Sequence, residues 1–279
     1  MQSTDESSKV KGTEIIMKWI DSHTHLYAEE FNEDREAAIE RAKAVGIAAV
    51  LLPNIDVNSV TPLFRLCDAH PNFAFPMMGL HPTSVDSHYS SSLQAIEKTL
   101  TQRPYSGIGE IGIDLYWDRT YLKEQKETFE EQLKWSIDME LPVSIHVREA
   151  FPEVFDSIYK VGAERLKGVF HCFAGTADDL EEIKRMPHFK IGINGIITFR
   201  KSPLPEIICT TPSEMLLLET DAPYLAPSPY RGKRNEPAYL CETAKKVAEM
   251  LNMTVEEVAD LTRKNALALF NIPISDKQV

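Results

Sequence analysis

The chain has 279 residues, of which 43% are hydrophobic and 26% charged, a globular composition that excludes a disordered, coiled-coil or collagen-like chain. Its 42 acidic residues against 30 basic ones leave a net charge of −12, so no global field draws it onto DNA or anionic lipid and any nucleic-acid contact has to be local. No apolar run reaches the ~20 residues that span a bilayer, the N-terminus lacks the order of a signal peptide, and the four cysteines form no close pairs; a cytoplasmic protein with free, mostly buried thiols is expected.

Residues 1–16 are polar and aperiodic and are expected to be an extension, disordered or left from cloning, ahead of one domain over 17–273 and a short tail at 274–279. A strand predicted at 19–22 leads to a helix near 32–45, and a second strand at 47–53 leads to a helix capped by Asp56 and running towards His70. A strand at 73–79 precedes a helix at 91–100, and one at 106–112 precedes the long amphipathic helix at 124–139. A strand at 142–146 is followed by a helix at 151–161, and one at 168–173 by a helix at 178–186 with Thr176 as its cap. The seventh strand, 190–194, is followed by a short helix at 204–208, the eighth, 215–220, by helices at 239–251 and 255–270. Eight strands alternating with helices over roughly 250 residues match a single-domain α/β fold, the (β/α)8 TIM barrel. An open doubly wound sheet is the rival, but no Gly-rich phosphate loop follows the first strand.

Chemistry in such a barrel sits at the C-terminal ends of the strands, and there this sequence offers metal ligands. The first strand ends in Asp21-Ser22-His23-Thr24-His25, whose two-residue period points His23 and His25 to one side. The fourth ends at Glu110, the fifth at His146, the sixth at His171 and the eighth at Asp221. An isolated H-x-H or a single histidine is more often an ordinary polar group, but ligand types at five strand ends have no such explanation. Four imidazoles and two carboxylates exceed the ligands of one catalytic metal, which argues for two divalent ions, with Glu110 placed to bridge them.

The chain also resembles the TatD-like metal-dependent hydrolases, within the wider amidohydrolase group of barrels. The resemblance covers 17–272 and is carried by DSHTHL at 21–26, GLHP at 79–82, GEIGID at 109–114, IHVRE at 145–149, FHCFAG at 170–175, ETDAPYLAP at 219–227 and RGKRNEP at 231–237. It implies that His23, His25, Glu110, His146, His171 and Asp221 bind two metals and that the activity is that of TatD deoxyribonucleases. Some members lack the first histidine pair; this chain keeps it. Relatives credited with deacylating D-aminoacyl-tRNA make a carbonyl hydrolase or amidohydrolase the alternative.

Asp21 and Glu219 share the strand parity of His23 and Asp221 one layer deeper, where each can either orient an imidazole or be a buried carboxylate held by the barrel. His81 is expected to face substrate rather than metal, the alternative being a turn histidine before Pro82. Arg148, with the parity of His146, can meet a phosphate or pair with an acid. Cys172, of opposite parity to His171, is expected to point into the helix layer. After the eighth strand, prolines stiffen the chain before Arg231 and Arg234, which are expected to grip phosphates beside the rim, the alternative being a merely solvated loop. The reading is hydrolysis of DNA, in single strands or at 3′ ends, by water activated on the two ions, Zn, Mg or Mn, with Asp221 steering the proton and Glu110 fixing the metal spacing. No membrane and no obligate protein partner are expected.

Overall fold

In the computed structural model, which describes residues 18–270 and Ile272, eight parallel strands lie side by side in chain order. They are β1 (Trp19–Asp21), β2 (Ile47–Pro53), β3 (Ala74–Met78), β4 (Gly107–Asp114), β5 (Val143–Arg148), β6 (Gly168–Phe170), β7 (Phe189–Ile193) and β8 (Leu216–Leu218). The remaining gap is bridged by the Ser22 amide donating to Leu218 O (3.0 Å) and the Asp221 amide donating to His23 O (2.9 Å). This is the TIM barrel expected. The extension at 1–16 and the tail at 274–279 lie outside the described residues.

The continuous apolar runs follow from burial on both faces. Val50 and Leu52 of β2 pack outwards with the helices, whereas Leu51 joins Ile20, Phe75, Met77, Val169 and Leu217 inside the barrel. The helices are α1 (Arg35–Ala44), α2 (Val60–Ala69), α3 (Tyr89–Thr99), α4 (Leu122–Asp138), α5 (Phe151–Val161), α6 (Ala177–Lys184), α7 (Leu204–Ile208), α8 (Leu240–Leu251) and α9 (Val255–Leu269). Leu269, Phe270 and Ile272, at and beyond the end of α9, join the interior cluster. Asn265 of α9 donates to Ser213 O, in the turn ahead of β8, and to Leu216 O, its first residue, so α9 closes the N-terminal mouth and leaves the C-terminal rim to the site.

Several local expectations change. β4 runs two residues past its expected end, to Asp114, and the Leu115 amide still reaches Arg148 O. β6 stops at Phe170 because Cys172 adopts a left-handed φ of 46°, which turns the chain. Asp56 does not cap α2; its carboxylate accepts from the Ser59 amide and closes the turn ahead of the helix. Thr176 caps α6 as expected, in a reciprocal box with Asp179. All four cysteines are free, but of them only Cys67 is fully buried and Cys209 is exposed. No helix among the described residues is long and apolar enough to cross a membrane.

Candidate metal centre

The predicted ligands meet at the C-terminal rim, around Glu110. The β4 register slips between Ile108 and Ile111, a bulge of the kind that re-aims a side chain, and the carboxylate it carries is almost fully buried. Its Oε2 lies 3.2 Å from His23 Nε2 and 3.4 Å from His25 Nε2. Its Oε1 lies 2.7 Å from His171 Nε2, 3.0 Å from His146 Nδ1 and 3.1 Å from His81 Nε2. The Asp221 Oδ1 atom completes the first group, 3.7 Å from His23 Nε2 and 3.6 Å from His25 Nε2. Asp221 holds a φ of 57°, a region that aspartate tolerates better than most non-glycine residues.

The groups that orient these ligands differ in part from expectation. Glu219 combines features of both readings: its Oε1 faces His171 Nδ1 at 3.6 Å, beyond hydrogen-bond distance, and accepts from the Cys172 amide. A side chain at Gly192 would collide with the Glu219 carboxylate, so the glycine makes room for it. Asp21 orients no imidazole. It accepts from the Thr220 amide (2.9 Å) and hydroxyl (2.6 Å) and from the His23 amide, tying the end of β1 to the chain after β8. That is the barrel-held carboxylate of the two readings. The partners of the first histidine pair are instead Ser144 Oγ, 3.1 Å from His23 Nδ1, and Tyr27 OH, 3.0 Å from His25 Nδ1. Asp114 Oδ2 sits 2.9 Å from His146 Nε2. Ser144 shares strand parity with His146, and Asp114 lies inside GEIGID, so both had a signal in the sequence. Cys172 is half-buried, and burial, with Asp221 and Glu219 nearby, pushes its thiol up.

The electrostatics describe a largely buried cluster in which one carboxylate faces five imidazoles. Burial opposes ionisation of Glu110, but His171, His81 and His23 outweigh it and hold its carboxyl well below the ordinary range. Burial lowers His23, helped by its neighbour His171. Burial also opposes charge on His171, yet Glu110 and Glu219 raise it well above its usual value. Asp221 is pushed up to about 6 and Asp21 to about 8, both by burial.

Two contacts test whether a cation fits. His23 Nε2 and His25 Nε2 approach to 3.3 Å, and His171 Nε2 and His146 Nδ1 to 3.4 Å. Facing ring nitrogens in a buried site call for a proton or a cation between them. The donor atoms of His23, Glu110 and His171, of His23, His25 and Asp221, and of His81, Glu110 and His146 each fall within 4.8 Å of one another. This mixed imidazole and carboxylate set suits a divalent transition ion. His81 thus lies among the possible ligands rather than facing substrate alone; its Nδ1 is held by Thr83.

The expected phosphate grip is altered. Arg234 is committed elsewhere: its guanidinium binds both Asp34 oxygens, at 2.6 and 2.9 Å, and the Glu30 carbonyl. Arg231 stacks 3.6 Å above the Phe199 ring, and Arg148 lies 3.6 Å above the Tyr116 ring.

The model of the TatD-related DNase family matches residues 20–271. An uncharacterised metal-dependent hydrolase of Bacillus subtilis, YabD, is 36% identical over 253 residues, covering 90% of this chain and 98% of its own. The 3′-5′ ssDNA/RNA exonuclease TatD of Erwinia tasmaniensis is 34% identical over 260 residues, covering 90% and 99%. The crystal structure of YjjV, a TatD homologue from Escherichia coli, superposes with a TM-score of 0.86 at 29% identity, covering 93% of this chain and all of that one.

Proposed function

The chain belongs to the TatD-related DNase family of metal-dependent hydrolases, and from that premise we propose that it is a nuclease cleaving phosphodiester bonds in unpaired DNA strands, from their 3′ ends, with two divalent ions. The observation that carries the two-ion reading is the division of Glu110, one oxygen towards His23 and His25, the other towards His146 and His171. Asp221 completes the first group, and Zn²⁺, Mn²⁺ or Mg²⁺ is compatible with the donors. Four unpaired thiols suit a cytoplasmic location.

When bound, the ions supply an activated water and neutralise charge on the phosphoryl oxygens. The chain's own residues do the rest. Glu110 sets the spacing of the two groups. Asp221, with one oxygen turned to the histidine pair, takes up and steers the proton of the attacking water. Glu219, Ser144, Tyr27 and Asp114 hold the rings so that little reorganisation is needed as charge develops. Arg148 and Arg231, with His81 at the rim, face the phosphates flanking the scissile bond. The acidic surface offers little for a long duplex, which favours single strands.

The test is cleavage of end-labelled single-stranded DNA, duplex DNA and RNA beside D-aminoacyl-tRNA, each with and without chelator. Progressive shortening of the single strand from its 3′ end, abolished by chelation, is expected. Deacylation without any phosphodiester cleavage would overturn the reading.

A further inference from the structure

Just beyond β4, two large aromatic side chains face solvent. Trp117 is 72% exposed, the most open large hydrophobic among the described residues, and Tyr116 beside it is 49% exposed. Scattered surface hydrophobics are common and need no explanation, but these two are neither scattered nor loose. Their rings meet edge to face, 4.8 Å apart at 88°. The Arg148 guanidinium, from the neighbouring strand β5, covers the Tyr116 ring at 3.6 Å and reaches Trp117 at 5.3 Å. Among the described residues it makes no salt bridge, so its charge stays available beside the rings. Asp114 braces the turn: its Oδ1 accepts from the Tyr116 amide (2.9 Å) and the Trp117 amide (3.4 Å), while its Oδ2 meets His146. The aromatic pair therefore stands one side chain away from the metal centre, fixed by the same carboxylate that orients a ligand.

We propose that Tyr116, Trp117 and Arg148 form a stacking platform for an unpaired nucleobase adjacent to the scissile phosphodiester. The inference rests on the nuclease reading and adds how the strand is recognised. Every base has a π-face, so such a platform accepts any sequence, whereas a base stacked within a duplex cannot reach it. The guanidinium stacked on Tyr116 strengthens the aromatic surface and leaves its edge for a phosphate. Local stacking also answers the difficulty of a polyanion binding a chain of net charge −12, since it needs no field.

Intrinsic fluorescence tests this directly, because the other two tryptophans, Trp19 and Trp135, are 1% and 7% exposed. Acrylamide quenching of the metal-loaded protein should report mainly Trp117. A cleavage-resistant phosphorothioate oligothymidylate should shield it, and an abasic strand of equal length should not. In kinetics with ordinary oligothymidylate, Trp117→Ala should raise KM about 5- to 150-fold, the range expected for one lost stacked base, with kcat within about twofold. Trp117→Tyr should recover most of that loss, and on an abasic substrate the difference between Trp117→Ala and the unmodified enzyme should vanish. An unchanged KM in Trp117→Ala, or equal shielding by the abasic strand, overturns the platform while cleavage by the unmodified enzyme upholds the nuclease reading. If the unmodified enzyme cleaves neither strand, the nuclease reading falls and the platform with it. Trp117 shielded by a protein but by no strand would reassign the pair as a protein-docking surface.

Discussion

Asp221 combines a left-handed backbone, an amide donated to His23 O and a carboxylate raised to about 6 by burial, so the chain accepts local strain to aim one oxygen at the histidine pair. Asp221→Asn keeps the shape and tolerates the same backbone region, but it cannot take a proton. Hydrolysis is expected to fall by ~10² or more while the melting temperature of the metal-free variant stays near that of the metal-free unmodified chain; a near-normal rate would move the proton-accepting role elsewhere. Ser144 acts through another residue. Its hydroxyl meets His23 Nδ1 across the barrel, and removing it in Ser144→Ala should weaken metal binding by about 10- to 100-fold without unfolding the chain, as read by metal titration and circular dichroism. Cysteine reactivity separates in the same way by environment. Burial pushes Cys67 up to about 12, whereas Cys209 is exposed, so native-state alkylation followed by mass spectrometry should mark Cys209 first and Cys67 last.

At the scale of elements, α1 is clamped to the segment after β8. Asp34, just ahead of α1, receives Arg234 on both oxygens and Arg41 at 3.0 Å, and Arg41 binds Glu236 at 2.6 and 2.8 Å. The Arg234 and Arg41 guanidiniums hold the Asp34 carboxyl well below its ordinary value of 3.8. A depressed acid contributes stability that is complete above its unfolded value, near pH 4, and is lost as pH falls through the folded value. Asp34→Asn should therefore lower the melting temperature by a few degrees at neutral pH, with the gap closing below about pH 4; solvent screening of this part-exposed network keeps the effect modest. Calorimetry across pH 2.5 to 7 checks it, and a gap that widens in acid would contradict the sign. Arg231→Ala should flatten the salt dependence of oligonucleotide binding by about one counterion, whereas Arg234→Ala should leave that slope alone and cost stability. Arg234 looked like a phosphate ligand because its partner Asp34 is 200 residues away, and no local pattern reveals such a pairing. The eight strands and the histidines at their ends were legible because strand period and apolar runs are local properties. The parity of Ser144 was readable too, but its bond to His23, the β4 bulge and the early end of β6 at Cys172 were not, since they depend on backbone turns and on contacts between distant strands.

For the whole molecule the two ends of the barrel have opposite characters. The N-terminal mouth is sealed by α9 with Leu269, Phe270 and Ile272, whereas the C-terminal rim gathers buried histidines and carboxylates whose convergence is unfavourable without a counter-ion. Stability should accordingly be linked to metal far more strongly than in a barrel with an apolar rim. A ligand that binds only the folded chain adds about 4 kcal/mol at a thousand times its Kd, which for a domain of this size shifts the melting temperature by on the order of 10 °C per occupied site. Glu110 turns one oxygen to each group, so Glu110→Gln should weaken both sites together. Asp221 touches only the His23 and His25 group, so Asp221→Asn should weaken one of them. Titration calorimetry and elemental analysis of the metal-replete protein should give up to two ions per chain, with two separable steps in Asp221→Asn and a common loss in Glu110→Gln. A saturated preparation that never exceeds one ion, or a melting temperature indifferent to chelator, would reduce the rim to a single site or to a charged cluster satisfied by protons alone. The division of the Glu110 oxygens would then reflect hydrogen bonding to His171 and His146 on one side and to His23 and His25 on the other.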